Sequence, residues 1–185
     1  MFYEQELYED FLNGDIGAFE SIVLEYKDNL IYFISRYTHG DLYIAEDIAQ
    51  DVFAQIYVNK ESFDRRYALK TYLFTIGKNK AIDYTRKNSK LSFNNFYDEL
   101  ESSSDYKTIE DSILIDEEKS FLFKSFKNLK FEYQRVLYLY VFEELSYKEI
   151  AKVMGITLPQ VKIMIHRARK LLKAMIEEED NSDEK

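Results

Sequence analysis

The chain has no cysteine, which excludes disulfides, thiolate zinc sites and a cysteine nucleophile, and fits a reducing compartment. Its two histidines, His39 and His166, are too few for a multi-histidine metal site. A single proline, Pro159, and five glycines leave few places where a helix is forced to stop. No apolar run approaches the roughly 18 residues of a membrane span. The opening stretch MFYEQELYEDFLNGD is acidic, without the cationic start and apolar core of a signal peptide. These absences predict a soluble, cytoplasmic protein with no cofactor, no metal and no membrane insertion.

What is present is a chain of 185 residues, 46% hydrophobic, enough for one domain or two small ones. The net charge of −9 is unevenly spread. Residues 1–28 hold eight acids against one cation, and the segments 91–114 and 175–185 are also acidic. Residues 60–90 hold nine cations against three acids, and residues 159–174 hold five cations and no acid. Two basic islands in an acidic background are a better nucleic-acid signature than the overall charge suggests.

Apolar residues recur at three- and four-residue intervals along most of the chain, which predicts an all-α fold. In AEDIAQDVFAQIYV, 45–58, Ile48, Val52 and Ile56 form one stripe with Ala45 and Ala49 beside it. Asp47, Gln50, Asp51 and Ala54 project from the other side. The stretch 91–114 is rich in Ser, Asn and acids, and its ESSSD breaks any helical stripe. It predicts a flexible linker between two small helical domains, 1–90 and 115–177, with a disordered acidic tail over 178–185. RVLYLYVF, 135–142, is rich enough in β-branched and aromatic residues to pass for a buried strand. Its helical neighbours favour helix.

Local chemistry is most specific near the C-terminus. Ser146-Tyr147-Lys148-Glu149 has the S-x-x-E form of a capping box. Ile150, Ala151 and Met154 follow as an inward face, and Gly155 suits a left-handed helix stop. Thr157-Leu158-Pro159-Gln160 is a second box, T-x-x-Q, with Pro159 in the first turn, where its missing amide costs nothing. A helix over about 147–154, a tight turn and a second helix from near 158 make a helix-turn-helix. On the second helix Val161, Ile165, Ala168 and Leu172 line one face. Lys162, His166, Arg169 and Lys173 line another, flanked by Arg167 and Lys170, as in a major-groove reading helix.

These motifs resemble a known family. LSYKEIAKVMGI followed by VK and HRARKLLK resembles the region-four helix-turn-helix of bacterial extracytoplasmic-function (ECF) sigma factors. GDIGAFESIVLEYKDNLIYFISRY, AEDIAQDVFAQIY and TYLFTIGKNKAIDYTRKNSK resemble their region two. Together the motifs cover about residues 10–175. The resemblance implies a sigma factor that binds core RNA polymerase and directs promoter recognition, melting and initiation. It implies that Asp47, Gln50 and Asp51 contact the clamp helices of the polymerase β′ subunit, with the β flap meeting the C-terminal domain. Lys60, Arg65, Arg66, Lys78, Asn79, Lys80, Arg86 and Lys87 would hold the minus-ten element. Phosphate neutralisation would supply affinity, and the 63–68 loop would hold a flipped base. Of the nearby aromatics, Tyr67, Tyr72 and Phe74, the reading places Tyr72 in the core, where the family often has Trp. Thr157, Gln160, Lys162, Ile163, His166, Arg167 and Lys170 would read the upstream, minus-thirty-five element. An anti-sigma factor, often membrane-bound, is a further implied partner.

Departures are concentrated in the reading helix. The family commonly has I-P-x-G-T-V-K-S-R-L where this chain has I-T-L-P-Q-V-K-I-M-I, so a Ser-Arg pair is replaced by Ile163-Met164. Gln160 remains as a residue able to pair with adenine, and Ile163 as one able to meet a thymine methyl. Glu144 stands where a turn Gly is common. The alternative reading is a stand-alone helix-turn-helix regulator that binds DNA without polymerase, usually as a dimer. The region-two-like helices argue against it. Carboxylate pairs such as Glu46-Asp47 have no base, nucleophile or metal set beside them, so an enzyme is not expected.

Overall fold

The computed structural model describes residues 2–64, 67–91 and 125–183, and among them every regular element is helical. The chain divides into two compact units, Met1–Tyr106 and Lys107–Lys185. The expected linker, 91–114, lies outside the described residues apart from Leu91. Among the described residues no helix is long and apolar enough to cross a membrane.

The first unit contains α1 (Phe2–Leu12), α2 (Ile16–Ser35), α3 (Leu42–Val58), a 3-10 turn (Lys60–Ser62) and α4 (Leu69–Leu91). Two aspartates set where helices begin. The Asp15 carboxylate accepts the amides of Gly17 and Ala18 at 2.8 and 3.3 Å, and Asp41 accepts that of Ile44 at 3.0 Å. Helix α2 is central and packs against α1, α3 and α4. Its Ile22, Leu30, Phe33 and Ile34 are fully buried, together with Val52 of α3 and Leu73 and Phe74 of α4. Helix α4 approaches α2 at Gly77, where an added Cβ would stand 3.0 Å from Leu30 Cδ1 and 3.2 Å from Ile34 Cδ1. The missing side chain is what lets the two helices lie so close.

The second unit contains a helical turn over 125–127, then α5 (Phe131–Val141), α6 (Tyr147–Met154) and α7 (Leu158–Asp183). The segment RVLYLYVF is helix up to Val141. Val136, Leu137, Tyr138 and Leu139 are all buried, because α5 packs against both α6 and α7 and the 125–129 segment adds Phe126 and Leu129 to the core. A helix enclosed on several sides loses its amphipathic stripe, which is why its sequence resembles a strand. Gln134, also buried, donates from Nε2 to the carbonyls of Lys127 and Leu129 at 2.8 and 2.6 Å and fastens that segment to α5.

One sequence expectation is revised here. Helix α7 continues to Asp183, past residue 178, where the disordered tail was expected to begin. No glycine or proline follows Pro159 to stop it, and Lys173 pairs with Glu177 one turn on at 3.5 Å. Glu144 has a structural consequence that its sequence context did not reveal. It adopts φ +54, a left-handed conformation, so that the Leu145 amide can return to the Leu139 carbonyl at 3.0 Å. A residue with a Cβ pays about 1–2 kcal/mol there, partly recovered by its lower unfolded-state entropy. Glu144→Gly is therefore expected to raise the thermal midpoint of this unit by about 2–4 °C in a circular-dichroism melt, and Glu144→Val to lower it.

Candidate nucleic-acid interface

Helices α6 and α7 are joined as the two boxes require. The Ser146 hydroxyl accepts the Glu149 amide at 3.3 Å, while Glu149 Oε2 accepts the Ser146 amide at 2.8 Å. Gly155 closes α6 at φ +69, and the Ile156 amide returns to the Ala151 carbonyl at 3.1 Å. Ile150 and Val153 are the fully buried pair of α6, whereas Ala151 and Met154 of the expected inward face are half-buried. On α7, Val161, Ile165 and Ala168 are buried and Leu172 is half-buried. Burying such aliphatic side chains is worth about 1.5–3 kcal/mol each for the larger ones, which fixes the rotation of α7 about its axis.

That rotation decides what α7 offers outward. Lys162, Ile163, His166, Arg167 and Lys170 are all exposed. Arg169 is exposed too, but its guanidinium lies 4.7 Å from the Tyr140 ring centre and is held against α5. Thr157 and Gln160 are engaged with each other. Gln160 Oε1 accepts both the Thr157 amide at 2.7 Å and the Thr157 hydroxyl at 2.8 Å, and the Gln160 amide reaches Thr157 Oγ1 at 3.4 Å. A bidentate adenine contact needs the amide oxygen as well as the nitrogen, and both lone pairs of that oxygen are taken. In the free chain this pair caps the helix, so the adenine contact anticipated for Gln160 would require the cap to open.

In the first unit the residues expected at the minus-ten element separate into three groups. Arg65 and Arg66 lie outside the described residues. Lys60, anticipated as a phosphate contact, is turned inward. Its ammonium donates to the Phe11 and Leu12 carbonyls at 3.4 and 3.1 Å and lies over the Phe11 ring at 5.4 Å. Its own carbonyl accepts the Tyr8 hydroxyl at 2.7 Å. A cation at the C-terminal end of α1 satisfies carbonyls that the helix leaves free, so Lys60 secures α1. The remaining residues lie along α4. Asn79, Arg86 and Lys87 are exposed and Lys78 is half-buried, where partial desolvation lowers its pKa below the usual lysine value. Arg86 pairs with Asp83 at 2.9 Å.

The aromatics near this surface divide in the same way. Phe74 is core. Tyr72 is half-buried rather than enclosed, tilted against Phe63 at 5.0 Å between ring centres, with its hydroxyl 3.3 Å from Ser62 Oγ. Tyr67 is exposed.

Helix α3 carries its expected two faces. Ala45, Ile48, Ala49, Val52, Phe53 and Ile56 are buried, and Asp47, Gln50, Asp51 and Ala54 are exposed. Grooves flank the polar face on both sides, one toward Val23, Lys27 and Ile31 of α2 and one toward Tyr84 of α4. Gln50 lines both. Lys27 bridges to Glu46 at 3.5 Å, and Lys80 of α4 lies 3.7 Å from Asp51. Lys80 thus sits at the edge of the α3 face, a placement the sequence did not reveal. The spacing of Lys80 and Tyr84, four residues apart, was the available signal that they share a side of α4.

A capped helix-turn-helix with a cationic outer face in one unit, and an acidic polar helix beside a basic one in the other, give an all-α protein the surface chemistry of a DNA-binding protein. Residues 22–91 match the family described as Sigma-70 region 2, and residues 126–172 match Sigma-70, region 4. The ECF RNA polymerase sigma factor SigW of Bacillus subtilis is 33% identical over 175 residues, spanning 88% of this chain and 91% of SigW. The RNA polymerase sigma factor YlaC of the same organism is 31% identical over 157 residues, 84% and 90% of the two chains. In fold, the chain resembles the sigma factor RpoE of Bartonella quintana, solved in complex with the anti-sigma factor NepR, with a TM-score of 0.64 at 21% identity over 86% of this chain and 96% of that one. The chain belongs to the ECF RNA polymerase sigma factors.

Proposed function

We propose that this alternative sigma factor divides its work between its two units as the resemblance implies. Residues 1–90 bind core polymerase and the minus-ten element, and residues 115–177 read the upstream element. Asp47, Gln50 and Asp51 on α3 dock on the β′ clamp helices, with the β flap contacting the second unit. Asn79, Arg86, Lys87 and Lys78 on α4, with Arg65 and Arg66 shortly before it in sequence, hold the minus-ten DNA, and Lys80 joins them when its pairing with Asp51 is exchanged. Lys162, Ile163, His166, Arg167 and Lys170 form the upstream contact, with Thr157 and Gln160 as its cap. Melting on this reading uses binding energy for the open strand, and no covalent step is catalysed. The protein acts in the cytoplasm, where polymerase is, and is restrained by an anti-sigma factor, as NepR is bound to the fold relative RpoE.

The observation that most supports this reading is the pairing of two sigma regions, in order, with an exposed polar face on α3 that has no use in a solitary repressor. It is tested by mobility shift on promoter DNA with the protein alone, with core polymerase alone, and with both. No shift is expected with the protein alone, since the acidic free chain is repelled by phosphate. Core alone should give a nonspecific shift removed by competitor DNA, and only both together a competitor-resistant, promoter-specific shift. Tight, sequence-specific binding by the protein alone as a dimer would overturn it.

A further inference from the structure

The outward face of α7 is cationic at its edges and apolar at its centre. Ile163 is 50% exposed, and Pro159, four residues earlier on the same face, is also exposed. Lys162, His166, Arg167 and Lys170 surround them. The hydrogen-bonding side chains of the first turn, Thr157 and Gln160, are engaged with each other. A helix entering the major groove by its N-terminal turns would therefore bring hydrocarbon, not amide or hydroxyl, to the base edges. Cations engaged on phosphates fix register without carrying sequence information. The one apolar group on the floor of the major groove is the C5 methyl of thymine. A guanine placed there would leave its O6 and N7 acceptors desolvated against Ile163, which is unfavourable.

We propose that Ile163, backed by Pro159, is the specificity-determining residue of α7, and that it selects a thymine in the upstream element through the C5 methyl. The proposal rests on the reading of α7 as the upstream-element helix. The Ser-Arg pair common at Ile163-Met164 would present polar groups, so this chain selects a different base pair at that position from relatives that carry the pair.

The test uses holoenzyme reconstituted from core RNA polymerase and the full chain. Tight-binding duplexes are selected from random-sequence promoter DNA. Each thymine of the upstream element in a selected duplex is then replaced singly by deoxyuridine, which removes the methyl and keeps every hydrogen-bonding group. At one position the wild-type holoenzyme is expected to lose about fourfold in affinity, the worth of one buried methyl. Ile163→Ala is expected to lose nothing there, and Ile163→Val an intermediate amount. Both substitutions are at an exposed helical position, and thermal melts check that the fold is kept. Equal losses in wild type and Ile163→Ala, or no thymine whose methyl matters, would overturn the proposal. Lys162→Ala and Arg167→Ala on the same duplex keep the two readings apart. If they weaken binding while the methyl effect is independent of Ile163, α7 is still the upstream helix and only the methyl contact is wrong. If they and Ile163→Ala all leave binding unchanged, the assignment of α7 fails and the proposal fails with it.

Discussion

Combining Asp47→Arg with Asp51→Arg is expected to abolish promoter-specific transcription while leaving the protein folded. Both carboxylates are on the exposed side of α3, opposite the buried seam of Ile48, Val52 and Ile56. Exposed substitutions of this kind change stability by about 0.5 kcal/mol or less. Among the described residues, the ion pair disturbed is Asp51 with Lys80 at 3.7 Å, whose Asp51 side chain is 74% exposed and which contributes little. A docking surface responds differently, because like charges brought together across an interface cost several kcal/mol. At about 3 kcal/mol the affinity for core falls by more than about a hundredfold. Co-migration with core on gel filtration, beside a thermal melt, separates the outcomes. Retained core binding with an unchanged melt would move the docking face off α3.

The second large effect is expected from Lys162→Ala combined with Arg167→Ala. Each removes an exposed cation from α7 and replaces it with a better helix former, so the helix persists. If each neutralises one phosphate, the slope of log affinity against log salt becomes shallower by about two for the pair. Affinity at moderate salt falls by about a hundredfold, taking each charge-assisted hydrogen bond at about 1.5 kcal/mol. Arg169→Ala is the informative contrast. Its guanidinium is over Tyr140, so its loss should lower the thermal midpoint and leave the salt slope nearly unchanged. A salt titration of holoenzyme binding, read by fluorescence anisotropy, measures all three variants. An unchanged slope in the double variant would assign 159–174 to packing instead.

The contrast between Arg167 and Arg169 also marks how far the sequence could be read. Both helices of the helix-turn-helix, both boxes and the Gly155 stop were legible, because they rest on residues three to five positions apart whose geometry is fixed by the helix itself. The two faces of α3 were legible for the same reason. What escaped depended on contacts distant in sequence. Lys60 reads as a member of a basic block, and only the fold brings its ammonium to the carbonyl of Leu12, 48 residues away. Arg169 belongs to the cationic stripe by spacing, and only the packing of α5 gives it Tyr140. Gln160 had two local uses, cap and base contact, and spacing could not rank them. Tertiary enclosure also obscured α5, whose consecutive buried residues erase the helical period. Val153 was overlooked in favour of Met154 because the exact rotation of an eight-residue helix is set by what it packs on.

Run-off transcription with purified core polymerase, with and without this protein, tests most directly that the chain is a promoter-specificity subunit. Core alone should start nonspecifically, and the added protein should produce one transcript of defined length from its promoter, lost with Asp47→Arg/Asp51→Arg. A protein that neither binds core nor directs initiation, yet binds duplex DNA by itself, would contradict that role.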